Sequence, residues 1–228
     1  NSKIMNIISD RTKFFLGGSA DLSSSCHTGL YKEIEFNKKL RHGRNINFGV
    51  RENAMGAILN GMSLSGLRTF GSTYLNFSDY LKPSIRMTAL MNLPVTYIFT
   101  HDSVLIGEDG PAYQPIEQLT MLRTIPNLTV FRPADINEVI GCWDYISNNE
   151  KPVAIVLSKE EAHILAGTSG EKTKLGAYIV RKETERIDAV LVSTGIDLTT
   201  TYLISEELRA KGIDTRVVSM PSMNLFLN

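Results

Sequence analysis

The sequence predicts an α/β protein built on a parallel sheet. Short apolar runs typical of buried strands recur along the first two thirds of the chain, and segments with helical periodicity lie between most of them. Parallel strands need such crossover connections, because each strand must start again from the same edge of the sheet. A histidine and several acids follow one of these strands, which is where open α/β sheets bind ligands.

Strands and helices alternate in a regular order. Predicted strands cover residues 14–16, 46–50, 95–100, 128–131 and 153–157. Predicted helices cover residues 53–65, 75–91 and 135–148, and the chain opens inside a further helix. Asp135 follows Pro133 at the start of the last of these helices, and an aspartate there is a preferred N-cap.

The sequence changes character after the strand at 153–157. Residues 166–174 are small, polar and charged, as in a domain linker. We therefore predict two domains, residues 1–166 and residues 167–228. The second has predicted strands at 177–181, 189–193 and 215–220 and a helix at 198–210. Three strands make only a partial domain, so we expect the chain to be a fragment of a longer polypeptide.

Charge and composition exclude several classes of function. The 228 residues contain 24 Lys and Arg against 24 Asp and Glu, so no net positive charge favours nucleic acid or a membrane surface. No apolar run reaches the roughly 18 residues needed to span a bilayer. Two cysteines, Cys26 and Cys142, are too few for a disulfide framework, so we expect a cytoplasmic protein. Neither cysteine has the spacing of a metal site with the histidines, so we expect no metal site.

The loop from His101 to Pro115 carries the most informative residues. It follows the apolar strand at 95–100 and contains a histidine, three acidic residues and two glycines. We predict a ligand site at His101 and Asp109. Taken alone, a histidine after a strand is commonly structural, and Glu108–Pro111 is ordinary turn sequence.

Six segments together resemble the transketolase family of thiamine diphosphate enzymes. They are Gly17–Leu22 (GGSADL), Asn47–Gly56 (NFGVRENAMG), Thr73–Phe77 (TYLNF), His101–Pro115, Arg132–Asp135 (RPAD) and Val217–Ser222 (VVSMPS). One such string would be weak support, but six in family order are specific. The resemblance covers nearly the whole chain.

This resemblance implies a three-layer, parallel-sheet pyrimidine-binding domain over residues 1–166 and a partial α/β C-terminal domain over 167–228. In the family a diphosphate-binding domain, absent here, holds thiamine diphosphate through Mg or Ca, and the cofactor lies between two subunits. The implied activity is transfer of a two-carbon ketol unit between sugar phosphates in the pentose phosphate pathway. The chain would form a homodimer, supply half of each site and be inactive alone.

The resemblance makes Glu52 the first catalytic candidate, because the family places a glutamate against a nitrogen of the cofactor's pyrimidine ring. Glu52 also opens a predicted helix, and a helix N-terminus favours a charged carboxylate. Sharing a proton with the cofactor therefore requires burial or a neighbouring acid to oppose the helix. Without the family motif, Glu52 reads as an ordinary first-turn glutamate.

An aromatic set at Tyr74, Phe77 and Tyr80 is spaced by three residues, so on a helix beginning near Leu75 the side chains would form one stripe. The resemblance makes this stripe the wall on which the aminopyrimidine stacks. An aromatic stripe more often belongs to a core, and that interpretation stays open for Phe77 in particular.

The remaining site residues also follow from the resemblance. His101 corresponds to a catalytic histidine that contacts the ketose end of the substrate, and Asp109 to an acid that recognises a substrate hydroxyl. Asp21 and Leu22 correspond to cofactor contacts, and Ser25 to a hydroxyl that helps hold the sugar phosphate. Residues 21–25 could equally cap a helix or form a loop.

Two residues depart from the family pattern. Tyr113 stands where many relatives have a histidine that contacts substrate, and a phenol can hydrogen-bond but is not a base at neutral pH. Lys159 stands where the family commonly has a phosphate-binding arginine, so the charge is kept but the bidentate fork is lost. Both changes bear on substrate choice more than on reaction type.

Three alternatives accompany this interpretation. The chain could belong to a related ketol transferase such as dihydroxyacetone synthase, which Tyr113 and Lys159 leave open. It could be a subunit or assembly module without catalysis of its own. A generic nucleotide-binding domain has little support, because the sequence contains no G-x-G-x-x-G and no phosphate-binding loop.

Overall fold

The chain, seen in a computed structural model that describes residues 1–227, forms two compact units. The first comprises Asn1–Thr129 and Asn148–Lys159. The second comprises Val130–Ser147 and the described residues from Glu160 onward. The domain boundary between residues 166 and 167 stays a prediction.

A six-stranded sheet confirms the predicted α/β class, and five of its strands lie wholly in the first unit. Its strands are β1 (Phe15–Ser19), β2 (Asn45–Asn47), β3 (Arg68–Tyr74), β4 (Val95–Thr100), β5 (Thr129–Phe131) and β6 (Val153–Val156). Their order across the sheet is β2-β1-β3-β4-β6-β5. The pairs β1–β2, β1–β3, β3–β4 and β4–β6 are parallel. Buried aromatic and β-branched side chains fill β4, which is inaccessible along its whole length.

Helices connect these strands; the predicted helix at the start of the chain and the one at 53–65 are confirmed, whereas two short helices, at 23–26 and 118–123, were not predicted. They are α1 (Ser2–Arg11), α2 (Ser23–Cys26), α3 (Glu52–Leu64), α4 (Ser78–Leu90) and α5 (Gln118–Arg123), with 3₁₀ segments at Leu75–Phe77 and Val104–Asp109. Within residues 1–227 no helix combines the length and apolar character needed to cross a membrane.

Two sequence predictions need correction in this unit. The central strand β3 was not predicted, because its sequence RTFGSTY mixes polar with apolar residues, although Thr69, Ser72 and Thr73 are fully buried. The helix predicted from residue 75 begins as a 3₁₀ turn and becomes α-helical only at Ser78. Tyr74 therefore lies at the end of a strand, and the aromatic set does not share one helical stripe.

Close packing between α3 and α4 fixes the helix that begins at Glu52. A Cβ atom on Gly56 would lie 2.5 Å from the Ser84 Cβ and 2.8 Å from a Leu81 methyl, so only glycine permits this approach. The Ser84 hydroxyl donates to the Asn53 backbone carbonyl at 2.8 Å. Contacts within the first two turns of α3 thus hold its N-terminal end in place.

The second unit contains a smaller sheet of three strands. They are β7 (Tyr178–Arg181), β8 (Ala189–Ser193) and β9 (Thr215–Ser219), in the order β7-β9-β8. β7 is antiparallel and β8 parallel to β9. The helices are α6 (Ile136–Asn148), α7 (Gly170–Thr173), α8 (Asp197–Ala210) and α9 (Met223–Phe226). The predicted strands and the helix near 198–210 are confirmed.

The predicted N-cap of α6 is also confirmed. The Asp135 carboxylate accepts hydrogen bonds from the backbone amides of Asn137 and Glu138 at 3.0 and 3.2 Å. Glu138 is fully buried, and burial raises the pKa of its carboxyl group. It accepts hydrogen bonds from the Tyr178 hydroxyl at 2.6 Å and the Ser219 hydroxyl at 2.5 Å, which join α6 to β7 and β9.

The α3–α4 contact gives a test of the fold at Gly56. Gly56→Ala should lower the free energy of unfolding by about 1–3 kcal/mol, because the methyl group would overlap α4. Gly61→Ala on the same helix is the matched control, since a Cβ there meets no atom within 4 Å. The control should be neutral or stabilise by about 0.5–1 kcal/mol. Chemical denaturation measures both, and equal effects would contradict the close packing.

Candidate active site

Five neighbouring parallel strands direct the predicted site residues to one edge of the first unit's sheet. Parallel strands place their carboxyl ends on the same side, so residues that follow them gather there. Glu52 follows β2; Asp21, Leu22 and Ser25 follow β1; Tyr74, Phe77 and Tyr80 lie at and after the end of β3; His101, Asp109 and Tyr113 follow β4; Lys159 follows β6.

Glu52 is buried although its side chain is polar and it opens a helix. Its side chain is only 7% exposed. The Thr73 hydroxyl on β3 donates to the carboxylate at 3.4 Å, a long hydrogen bond. The carboxylate therefore lies in the interior at the end of β3, with one hydroxyl group beside it.

The aromatic side chains form one partly exposed cluster. Tyr74 and Phe77 stack with their centroids 5.9 Å apart, and Phe77 and Tyr80 lie 6.2 Å apart. Tyr113 meets Tyr74 and Phe77 edge-on at 5.7 and 5.6 Å. Tyr80 is 65% exposed, and Phe77 is half-buried. These rings leave aromatic faces open at the sheet edge, unlike a closed core.

His101 is held in a constrained position under this cluster. It is 5% exposed and adopts a left-handed backbone conformation with φ 62°, which non-glycine residues seldom adopt. Its ring stacks on Tyr74 at 3.8 Å, and its Nδ1 lies 2.9 Å from the Thr100 hydroxyl. Burial lowers the pKa of His101, so the imidazole is neutral at physiological pH.

Lys159 and Asp109, which the sequence assigns to different parts of the substrate, pair with each other. The Lys159 ammonium lies 2.8 Å from the Asp109 carboxylate and 3.8 Å from that of Glu108. The hydrogen bond from Lys159 lowers the pKa of Asp109 and raises that of Lys159. A substrate group that binds either charge must therefore share or break this pair.

The residues after β1 form a turn and the short helix α2. Asp21 is exposed and has a left-handed backbone with φ 65°, and Ser25 is exposed within α2. The Leu22 amide donates to the Ser19 hydroxyl at 2.9 Å, which closes the turn. Within residues 1–227 no hydrogen bond, ion pair or ring contact joins Asp21 or Ser25 to Glu52 or the aromatic cluster.

The structure adds residues that the sequence analysis did not identify. Thr73 contacts Glu52, and Thr100 contacts His101. The Asn76 amide donates to the Ala112 carbonyl at 2.5 Å and ties the 3₁₀ turn after β3 to the loop after β4. A hydroxyl residue at the end of an otherwise apolar strand is the sequence signal that could have found Thr100, whereas the mixed sequence of β3 carries no such signal for Thr73. Among the described residues no group of three or more His, Cys, Asp or Glu side chains could hold a metal ion.

Comparison with known families matches both parts of the chain. Residues 2–163 match the model described as transketolase, pyrimidine binding domain. The chain belongs to the transketolase family. Residues 176–228 match the model of the transketolase-like C-terminal domain. The recognised resemblance is thereby confirmed, and the six-stranded sheet is the fold of a pyrimidine-binding domain.

Individual relatives agree with this assignment. The chain is 45% identical to the transketolase of Bacillus subtilis (strain 168), covering 99% of this chain and 35% of the relative. A crystal structure of Pichia stipitis transketolase in complex with sedoheptulose 7-phosphate superimposes with a TM-score of 0.94 at 35% identity, over 100% of this chain and 35% of that one. A split-gene transketolase, described as an inactive β4 tetramer, superimposes with a TM-score of 0.80 at 26% identity over 98% of this chain and 69% of that one. The chain thus spans about a third of the length of the full transketolases that it matches.

The pKa of His101 should change in opposite directions when the charge of Lys159 or that of Asp109 is removed. Lys159 lowers and Asp109 raises the pKa of His101. Lys159→Met should therefore raise this pKa, and Asp109→Asn should lower it further. An NMR titration of the histidine ring protons measures both variants, with Lys151→Met as the control for an exposed lysine elsewhere. Shifts of the same sign would contradict the observed arrangement of charges.

Proposed function

We propose that this chain contributes the pyrimidine-binding half of a transketolase active site. The activity is transfer of a two-carbon ketol unit between sugar phosphates, with thiamine diphosphate as cofactor. The observation that carries the proposal is the pairing of a buried carboxylate, Glu52, with an open aromatic cluster at the carboxyl ends of parallel strands. Membership of the transketolase family supports it.

The residues present fit the aminopyrimidine of thiamine diphosphate. An aminopyrimidine has a flat π face and ring nitrogens that take part in hydrogen bonds. Phe77 and Tyr80 offer partly exposed rings for stacking, with Tyr74 packed beside them. Glu52 offers a carboxyl group that can hold a proton at a ring nitrogen. Asp21 and Leu22 are proposed as further contacts to the cofactor.

The chain's own residues orient the reactants and move a proton. When bound, thiamine diphosphate supplies the stabilisation of negative charge that breaking a carbon–carbon bond beside a carbonyl requires. Glu52 holds the proton at the pyrimidine nitrogen, and its burial keeps water from competing for that proton. His101 contacts the ketose end of the donor sugar.

Sugar recognition is assigned to the loop after β4 and to the end of β6. We propose Asp109 and Tyr113 as partners of substrate hydroxyls and Lys159, with Ser25, as the phosphate contacts. The Lys159–Asp109 pair places a cation and an acceptor side by side, as a phosphorylated polyol requires. The described complex of the Pichia stipitis relative with sedoheptulose 7-phosphate supports this substrate class.

The complete site needs a partner in this proposal. A diphosphate-binding domain supplies the remaining cofactor contacts and the Mg or Ca ion, and the active assembly is a homodimer with two such sites. We place the protein in the cytoplasm and in the pentose phosphate pathway, as expected for an enzyme of sugar phosphates. Residues 1–166 and 167–228 are the proposed domains.

A second candidate function is that of a subunit without catalysis of its own. The split-gene transketolase supports it, because that structure is described as an inactive β4 tetramer and this chain covers 69% of it. Under this alternative the chain assembles with itself and becomes active only when a separate diphosphate-binding subunit joins it.

Glu52 provides the direct test of the proposed reaction. The chain should show no ketol transfer from xylulose 5-phosphate to ribose 5-phosphate alone and should transfer when combined with a diphosphate-binding domain. Glu52→Gln keeps the shape but loses the proton exchange, so kcat should fall by about 100-fold or more. Glu150→Gln, an exposed glutamate outside the site, is the control. Transfer by the chain alone, or full activity of Glu52→Gln, would contradict the proposal.

Lys159 provides the test of the substrate class. Lys159→Ala should raise KM for phosphorylated donors by about tenfold, because a charge-assisted hydrogen bond to phosphate is lost. The KM for an uncharged, unphosphorylated ketose such as erythrulose should change little. Lys151→Ala is the matched control at an exposed lysine before β6. An equal rise in KM for both donors would contradict the proposal that Lys159 binds the phosphate group.

A further inference from the structure

A buried hydroxyl lies between a thiol and the His101 imidazole. Thr100 is the last residue of β4, and its Oγ1 is 2.9 Å from Nδ1 of His101. The same oxygen is 3.3 Å from Sγ of Cys26, the last residue of α2. The exposed fractions of Thr100, His101 and Cys26 are 6%, 5% and 3%. These three groups therefore exchange hydrogen bonds with little competition from water.

The chemistry of the three groups sets the direction of the hydrogen bonds. A neutral imidazole has one donor and one acceptor nitrogen, and burial favours the neutral form of His101. Burial raises the pKa of the Cys26 thiol to about 11, so the thiol keeps its proton. The Thr100 hydroxyl has a single proton to donate, and an imidazole nitrogen is a much better acceptor than a thiol sulfur. The stronger of the two possible arrangements is the one in which the hydroxyl donates to Nδ1 and accepts from the thiol, with the imidazole proton on Nε2.

We propose that Thr100, supported by Cys26, is a positioning residue that holds His101 with its proton on Nε2 and so presents a hydrogen-bond donor to an oxygen of the ketose substrate. Stacking on Tyr74 at 3.8 Å holds the plane of the ring. Within residues 1–227 Nε2 has no hydrogen-bond partner, so its N–H is available.

The tautomer decides what His101 can do. A donor at Nε2 stabilises negative charge that develops on a substrate oxygen, and it does so best in a site that excludes water. A lone pair at Nε2 would repel the same oxygen. The neutral ring thus acts as a fixed hydrogen-bond donor. Which substrate atom accepts this hydrogen bond rests on the proposed function. The assignment of the tautomer is independent of the proposed function.

Charged groups near the ring affect its protonation but not this assignment. Asp109 and Asp102 raise the pKa of His101, and Lys159 lowers it. The tautomer is therefore measured at a pH where His101 is neutral, as an NMR titration establishes for each variant.

Ring ¹⁵N chemical shifts from long-range ¹H–¹⁵N NMR spectra test the inference on the chain itself. In the unmodified chain we expect the proton on Nε2 and an Nδ1 shift typical of a hydrogen-bonded acceptor. Thr100→Val removes the hydroxyl with little change of shape, so Nδ1 should shift toward a free acceptor and the minor tautomer should gain population. Thr100→Ser, which keeps the hydroxyl, should restore the original shifts.

Either of two results would overturn the inference: a proton on Nδ1 in the unmodified chain, or ring shifts unchanged in Thr100→Val. If Thr100→Val does not fold, as circular dichroism would reveal, the spectrum of the unmodified chain still decides between the two tautomers.

Kinetics separate this inference from the proposed function. In the combined enzyme, Thr100→Val should lower kcat by about tenfold through loss of one oriented hydrogen bond, and Thr100→Ser should recover most of it. If Thr100→Val alters the ring shifts but leaves kcat unchanged, the tautomer assignment stands and the role of His101 in handling the donor is wrong.

Discussion

Parallel pairing of β3 between β1 and β4 is the constraint on which the candidate site depends. In this register Thr73 lies opposite Phe99, and Tyr74 lies opposite Thr100. Because side chains alternate along a strand, neighbouring positions on β3 serve two functions. Thr73 reaches the carboxylate of Glu52, and Tyr74 stacks on His101. A slip of one residue would exchange these side chains between the two faces and separate both pairs.

Burial and charge then give each site residue its chemical character. Glu52 and His101 are buried, with one hydroxyl group beside each side chain. Asp109 and Lys159 pair with each other and stay charged. The candidate site therefore combines a buried part with a charged part at its partly exposed rim. This division suits a polar, charged substrate whose bond-breaking atoms must be shielded from water.

The sequence predicted most elements, and the structure brings most of the proposed site residues to the carboxyl ends of parallel strands. The errors in the predicted elements have physical causes. Helical periodicity located α3, and continuous apolar runs located β4 and β6 because both strands are buried on both faces. It missed β3, whose buried threonines and serine have their hydroxyls satisfied within the fold and so carry no hydrophobic pattern. The aromatic cluster was predicted as a helical stripe, but a 3₁₀ turn carries Phe77. The pairing of Lys159 with Asp109 joins residues 50 positions apart, and no local pattern reveals such a contact.

The central claim is that this chain supplies only half of a binding site for thiamine diphosphate. Calorimetry tests this claim most directly. Thiamine diphosphate with magnesium is titrated into this chain alone and into the chain combined with a diphosphate-binding domain. The account predicts weak or undetectable binding to the chain alone and tight binding to the combination, with Glu52→Gln weakening the latter. Submicromolar binding by the chain alone would contradict the claim, because it would mean that this sheet edge already holds a complete cofactor site.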